Sequence, residues 1–280
     1  MKFAVLVVVT LFSLSTFALS NAVPAVESQF DSTVFYSVTQ YDESAKEEGL
    51  GFCNGQLISP RVMVTAAHCV AHAFVLKKPT LEIQLGEYLY RDRNGEIVRI
   101  GYAYKKKEII DADFYFITSL KNKLISQGLR TRLGPNDDIA VVVFKRDLEV
   151  KPEMQFPQVV TQAELKGLLP RLMQYRPQVV TVNPFEEIRT NDTRRRALLD
   201  KVSFNSGGHL ESKSIARLAP GDSGGPLFIQ IGDQLKLAAV VKGRAETIFS
   251  NWDVYGLLDN KICDIFRQIS DKSIQPQLCI

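Results

Sequence analysis

Short runs rich in valine and isoleucine, many of them four to eight residues long and set off by turn signals, constrain this chain more than any other feature. They are TVFYSVTQY (33–41), GQLI (55–58), VMVTA (62–66), LEIQLG (81–86), IAVVVF (139–144), PQVVTV (177–182), PLFIQI (226–231) and LKLAAVV (235–241). Runs of this kind predict an all-β sandwich or barrel. No period of about 20 to 50 residues recurs, which argues against a solenoid. The last regular piece, NKICDIFRQI, places Ile262, Ile265, Phe266 and Ile269 at helical spacing, so one amphipathic helix is expected to close the β protein. At 280 residues, 45% of them hydrophobic, the chain can bury a large core in one or two compact units. The two prolines of VKPEMQFPQ (150–158) mark the expected bridge, giving units over 23–155 and 156–280 after a leader over 1–22.

That leader, MKFAVLVVVTLFSLSTFALSNA, has one basic residue, an apolar run from Phe3 to Phe12, and then small and polar residues. This is the build of a secretory signal peptide, with cleavage expected after Ser20 or Ala22. The apolar run is short for a membrane anchor and loses purity at Ser13 and Ser15. The expectation is therefore a soluble, exported protein, extracellular or periplasmic, with no membrane association once the leader is removed. Four cysteines fit such a compartment. Cys53 and Cys69 are 16 apart, as are Cys263 and Cys279, so two local bridges are the simplest of three possible pairings. A loop of that size stabilises by roughly 3 kcal/mol when unstrained. A net charge of +3 is mild and gives no reason to expect a nucleic-acid partner.

The stretch PGDSGGPLF (220–228) surrounds Ser223 with glycines, a proline and an aspartate. Glycine reaches backbone angles closed to other residues and lets a ligand approach the main chain. A serine on such a turn, with free N–H groups around it, suits attack on a carbonyl and stabilisation of the resulting oxyanion. The same letters fit the Gly-x-Ser-x-Gly turn of α/β-hydrolases, but that fold needs its Asp and His after the serine. Here the last histidine, His209, precedes Ser223, so the lipase reading fails on order.

Three stretches together resemble the trypsin-like (chymotrypsin-family) serine peptidases. VTAAHC (64–69), with Cys53 upstream, looks like that family's histidine motif and flanking disulfide. NDDIAVVVF (136–144) looks like its aspartate motif, and GDSGGPL (221–227) matches its serine motif. They occur in the family's order, His then Asp then Ser. The resemblance implies two antiparallel six-stranded β-barrels with a C-terminal helix, and hydrolysis of peptide bonds through a His68–Asp138–Ser223 triad. Asp138 rather than Asp137 is implied, because it directly precedes Ile139 and Ala140. Ser223 is a poor nucleophile until His68 takes its proton, and His68 needs a buried carboxylate to fix its tautomer and favour the imidazolium. The N–H groups of Gly221 and Ser223 would form the oxyanion hole, worth roughly 3–4 kcal/mol per donor.

Departures from the family pattern bear on specificity. The residue six before the serine, at the floor of the family's specificity pocket, is Arg217, where trypsin itself carries an aspartate. Cleavage after Lys or Arg is therefore not expected. Arg217 could receive an acidic side chain, or pair internally with Asp253, which aligns loosely with a second pocket position. The internal pair is favoured, since an unpaired buried arginine is costly. Ala219 stands where the family's pocket disulfide begins, and Lys242-Gly243-Arg244 replaces its Ser-Trp-Gly strand. The family's activation step frees an N-terminus that pairs with the aspartate before the serine, here Asp222. Between Lys2 and Lys46 there is no lysine or arginine, so tryptic activation at the usual place is excluded. Either leader removal exposes a usable end near Asn21–Val23, or another cation satisfies Asp222.

Other features read as bland. His68 and His72 stand four apart but without the glutamate of a HExxH site, so neither a metal nor a cofactor is implied. His72, His209 and the run Arg194-Arg195-Arg196 read as solvated surface. Asn191-Asp192-Thr193 is a glycosylation acceptor only in a source that glycosylates. An insertion over 102–135, rich in lysine and aromatic residues, reads as a solvated helix or loop face, with a basic exosite as the rival. The expected partners are a protein or peptide substrate and a protein inhibitor, and the expected state is a monomer. A catalytically silent homologue, acting as a binding or regulatory protein, is the alternative function.

Overall fold

The valine- and isoleucine-rich runs become strands, and hydrogen-bond pairing sorts those strands into two sheets. The computed structural model describes residues 19, 22–25, 28–42, 46–91, 97–134, 137–150, 152–182, 194–205, 208–246 and 251–274. Most of the leader, Asn191-Asp192-Thr193 and Cys279 lie outside them. Among the described residues no helix is long and apolar enough to cross a membrane.

The first sheet consists of β2 (Thr33–Asp42), β3 (Glu47–Ser59), β4 (Val62–Thr65), β5 (Thr80–Arg91), β6 (Ile97–Phe116) and β7 (Ala140–Phe144). They close into a barrel in the order β2-β3-β4-β7-β6-β5. Every residue of β4 and β7 is buried. That is the signature of strands covered on both faces, and it explains why their sequences read as unbroken apolar runs. Helix α1 (Ala67–Val75) follows β4, and α2 (Thr118–Gln127) follows β6. The latter occupies part of the insertion over 102–135, burying Leu120 and Leu124 and leaving the rest of its length to solvent.

The second sheet has nine strands and is curled. Its path runs from β1 (Val23–Pro24) through β10 (Arg194–Leu198), β9 (Gln178–Val182), β13 (Pro226–Ile231), β14 (Gln234–Glu246), β15 (Asn251–Leu257) and β12 (Leu210–Ser212) to β11 (Val202–Phe204). The short β8 (Gln158–Val159) adds to β14 in parallel. Helix α3 (Gln162–Leu168) starts on a capping box, in which Thr161 accepts from Glu164 N–H and the Glu164 carboxylate accepts from Thr161 N–H. This device satisfies two donors that a helix start leaves unpaired. One closed barrel and one curled sheet, with few helices, is a chymotrypsin-like all-β fold.

The closing helix is α4 (Asn260–Arg267), capped by the Asp259 side chain, which accepts from Lys261 N–H. Ile262, Ile265, Phe266 and Ile269 are buried in the same apolar cluster as the barrel strands. That cluster also takes in Val180, Phe228, Leu237 and Val240 of the second sheet, so apolar packing is continuous across the seam. A second cluster, with Leu210, Leu227, Ala239 and Tyr255, fills the far side of the curled sheet, and Leu19 joins it. Cys53 bonds to Cys69, tying β3 to α1, and Cys263 is also disulfide-bonded.

Two surface readings are corrected. Arg194 opens the edge-side strand β10 and is 1% exposed, while Arg195 and Arg196 are half-buried. A charge run in a sequence says nothing of long-range partners, and Arg194 has them: Asp31 at 2.7 Å and the Ala25 carbonyl at 3.1 Å. His209 is also buried, its Nε2 3.0 Å from Glu211. His72 does remain partly exposed on α1, where its Nδ1 accepts from Tyr41 N–H at 3.1 Å.

Removing one partner of a buried ion pair strands the other charge. Arg194→Ala should therefore cost about 3–5 kcal/mol in urea denaturation. Lys78→Ala, which breaks the exposed Lys78–Glu48 pair, should cost less than about 1 kcal/mol.

Candidate active site

The turn from β4 into α1 sets His68 in the first turn of the helix. N–H groups there have no partner within the helix, and Ala66 at the N-cap offers no side-chain acceptor. Asp138, just before β7, supplies one. Its Oδ1 accepts from His68 N–H at 2.8 Å, and its Oδ2 lies 2.8 Å from His68 Nδ1. One carboxylate thus caps the helix and orients the ring, with the Nδ1 proton facing it and Nε2 as the basic nitrogen. Asp138 is fully buried, whereas the His68 side chain is 35% exposed. Its neighbour Asp137 instead sits 3.8 Å from Lys123 Nζ. Burial pushes the Asp138 carboxyl up, but the His68 charge, the two His68 hydrogen bonds and the Lys242 ammonium hold it below the ordinary carboxylate range.

Ser223 stands on a turn that only glycines permit. Gly221 has φ +95° and Gly224 φ +80°, both in the left-handed region. A Cβ at Gly224 would lie 2.1 Å from Asn54 O and 2.2 Å from Thr65 Oγ1, so the loop is pressed directly onto the first barrel. Backbone bonds fasten it on both sides: Asn54 N–H to Ser223 O (2.7 Å), Gly224 N–H to Val241 O (2.7 Å) and Val241 N–H to Gly225 O (2.7 Å). Ser223 Oγ donates to the Lys242 carbonyl at 3.3 Å. Among the described residues, no hydrogen bond joins Ser223 to His68. Instead the two are linked through Lys242, whose Nζ lies 3.9 Å from Asp138 Oδ2 and donates to Leu133 O at 3.2 Å.

Asp222 is completely buried and accepts from Ala219 N–H at 2.8 Å. Burial raises its carboxyl to about 7, and the Asp253 charge adds to the rise. Hydrogen bonds from Ala219 and Thr181 and the Arg195 charge only partly offset it. Arg195 also donates to Ala22 O at 2.7 Å, so the segment around residue 22 reaches the same guanidinium that acts on Asp222. Asp253 is buried on β15, paired across the ladder with Arg244, and accepts from Leu218 N–H at 3.3 Å. Burial raises its carboxyl to about 6 against the pull of Leu218 N–H and of the Arg217 and Arg244 charges.

Cys53, His68 and Cys69 cluster closely enough to suggest a metal centre. Both sulfurs are spent in the disulfide, so no thiolate is available to a metal there.

Two residues that matter for this geometry escaped the sequence reading. Lys242 was noted for its place in the strand, not for its charge beside Asp138. Asn54, between Cys53 and Gly55, was not noted at all, although its side chain spans the seam to Gly221 and Val182. A polar residue beside a cysteine in an apolar strand is the single signal that could have flagged it.

The family model for Trypsin matches residues 24–247. No curated protein matches the chain. A match of that length runs from β1 through the whole first barrel to the end of β14, and it places this chain in the trypsin family.

Proposed function

We propose that the protein is a serine endopeptidase using His68, Asp138 and Ser223. The observation that carries the reading is the double hold of a fully buried Asp138 on His68, through both the backbone N–H and Nδ1. A helix cap alone would need only the first bond. The second has a purpose in a site where Nε2 must accept a proton and the resulting imidazolium must be stabilised.

In this reading Ser223 Oγ turns from the Lys242 carbonyl to His68 Nε2 when substrate fills the cleft. Oγ then bonds to the scissile carbonyl carbon as its proton passes to Nε2. The carbonyl oxygen becomes an oxyanion facing the N–H groups of Gly221 and Ser223. Collapse breaks the C–N bond, and His68 returns its proton to the leaving amine, giving an acyl-enzyme. Water, deprotonated by the same Nε2, attacks the ester; collapse frees the carboxylic acid and restores Ser223. A protein or peptide is the substrate, and neither a cofactor nor a metal enters. Secretion fits the leader-like N-terminal segment and the Cys53–Cys69 bridge.

Specificity is proposed to differ from trypsin's. Arg217 and Asp253 interact by charge in place of a pocket-floor aspartate open to basic side chains. Asp222 is proposed as the partner of a new N-terminal ammonium freed near residues 21–23. A catalytically silent homologue remains the second reading, favoured by the Ser223 bond to Lys242 O and by the protonation-prone Asp222.

Labelling with a fluorophosphonate tests the first reading. The secreted protein should be labelled stoichiometrically, and Ser223→Ala or His68→Ala should abolish labelling and lower kcat by about 10⁴-fold or more. Absence of label on the folded, processed protein would favour the silent homologue. A peptide library should show no enrichment for Lys or Arg before the cut, and Asp253→Asn should raise acceptance of Asp or Glu there by roughly tenfold. Enrichment for basic residues would refute that assignment.

The unprocessed chain carries a pH signature. The Asp222 carboxyl rises from 3.8 to about 7 on folding, so across that window the folded state binds the extra proton. Stability of the unprocessed chain should therefore fall as pH rises from about 4 to about 7 and level off above. Asp222→Asn should flatten most of this slope in melts recorded across the window.

A further inference from the structure

We propose that Asn54 is a positioning residue for the oxyanion donors, clamping the serine loop from the opposite sheet; this deepens the peptidase reading and rests on it. Asn54 lies on β3 and is completely buried. Its backbone N–H donates to Ser223 O at 2.7 Å, and its side-chain Nδ2 donates to Gly221 O at 2.6 Å. One residue therefore holds the two carbonyls that flank Asp222. Its Oδ1 in turn accepts from Val182 N–H on β9 at 2.6 Å. That bond fixes which way the amide faces, because the reversed amide would set donor against donor at Val182 and oxygen against oxygen at Gly221.

Peptide planarity carries the clamp to the donors. A trans peptide points its C=O and its N–H in opposite directions. Holding Gly221 O orients the plane between Gly221 and Asp222, and Asp222 N–H accordingly turns back to Ala219 O at 3.1 Å. Holding Ser223 O orients the plane between Ser223 and Gly224, whose N–H reaches Val241 O. Between these two fixed planes lies the one that carries Ser223 N–H. Its carbonyl, Asp222 O, accepts from Gly225 N–H at 3.1 Å, so Ser223 N–H is directed the other way. Gly221 N–H belongs to the plane immediately before the clamped stretch. Both proposed oxyanion donors thus border planes set by Asn54.

The clamp itself has no slack. Thr65 Oγ1 donates to Asn54 O at 2.7 Å, and since that uses its one hydrogen, Tyr36 OH donates to Thr65 Oγ1 at 2.8 Å. All three of these side chains are buried. The loop is therefore anchored on its barrel side by bonds in which the Asp222 carboxyl takes no part. Asn54 preserves the donor geometry independently of how the N-terminus is processed.

Asn54→Asp keeps the size and the acceptor for Val182 N–H but replaces the N–H at Gly221 O with an oxygen. Asn54→Ala removes both side-chain bonds. Each should slow fluorophosphonate labelling at least about tenfold and lower kcat by a similar factor, with KM within about threefold of the parent. Loss of binding and turnover together would mark a merely structural role. Wild-type labelling and kcat in either folded variant would overturn the proposal. If Asn54→Ala fails to melt cooperatively, Asn54→Asp decides. Should the wild-type protein itself resist labelling, the peptidase reading fails, and hydrogen exchange over residues 219–225 judges the clamp alone. Exchange at least about tenfold faster there in Asn54→Asp than in the parent, with α4 unchanged, supports it, and unchanged exchange overturns it.

Discussion

A single buried carboxylate organises the centre of this molecule. Asp138 sits where the last barrel strand begins, and it reaches back across seventy residues of chain to the start of α1. Burying it without partners would cost far more than a hydrogen bond returns. The fold meets that cost with the His68 N–H, the His68 ring and the ammonium of Lys242. They come from two places in the topology: the His68 N–H and ring from the crossover after β4, the ammonium from β14 of the other sheet. The two sheets therefore cannot shift relative to one another without uncovering this charge. Structural and chemical demands coincide at one residue.

The serine loop depends on the same seam. Its backbone is bonded to β3 on one side and β14 on the other, and Gly224 allows it to lie against Asn54 and Thr65 with no room for a side chain. The Cys53–Cys69 bridge fixes β3 to α1 immediately beside these bonds. His68 and the loop are thus referred to one rigid corner of the barrel instead of to each other. Such a corner holds His68 and Ser223 in place although no hydrogen bond joins them while Ser223 donates to Lys242 O.

What the sequence discloses and what it hides follow from range. VTAAHC and GDSGGPL are legible because the family resemblance they carry is spelled out within a few adjacent residues. The strands of the barrel are legible because short β-branched apolar runs bounded by turns are a local signal, and so is α4, whose apolar positions recur at helical spacing. The capping box of α3 is equally local, spelled by TQAE (161–164). By contrast, Arg194 looks solvated in a run of three arginines and is buried only because Asp31 meets it from far along the chain. Asn54 meets Gly221 across 167 residues. No local pattern encodes a contact of that span; it exists only once the register of both sheets is set.

Lys242 shows how such a long-range contact changes chemistry. Its ammonium and the His68 ring address the same Asp138 oxygen, at 3.9 Å and 2.8 Å. A fixed cation there keeps the carboxylate ionised, while taking some of its acceptor strength away from Nδ1. In the peptidase reading, a ring that had taken the Ser223 proton would repel that ammonium, an effect softened by the partial exposure of both side chains. The same lysine also draws Ser223 Oγ to its carbonyl, away from Nε2. Both effects favour the resting arrangement over the charged one. In the peptidase reading, a peptide strand pairing along Lys242-Gly243-Arg244 would compete for those backbone groups and return the hydroxyl to His68. On that reading, the strand that would receive substrate also carries the carbonyl that holds Ser223 Oγ, which would tie reactivity to occupancy of the cleft.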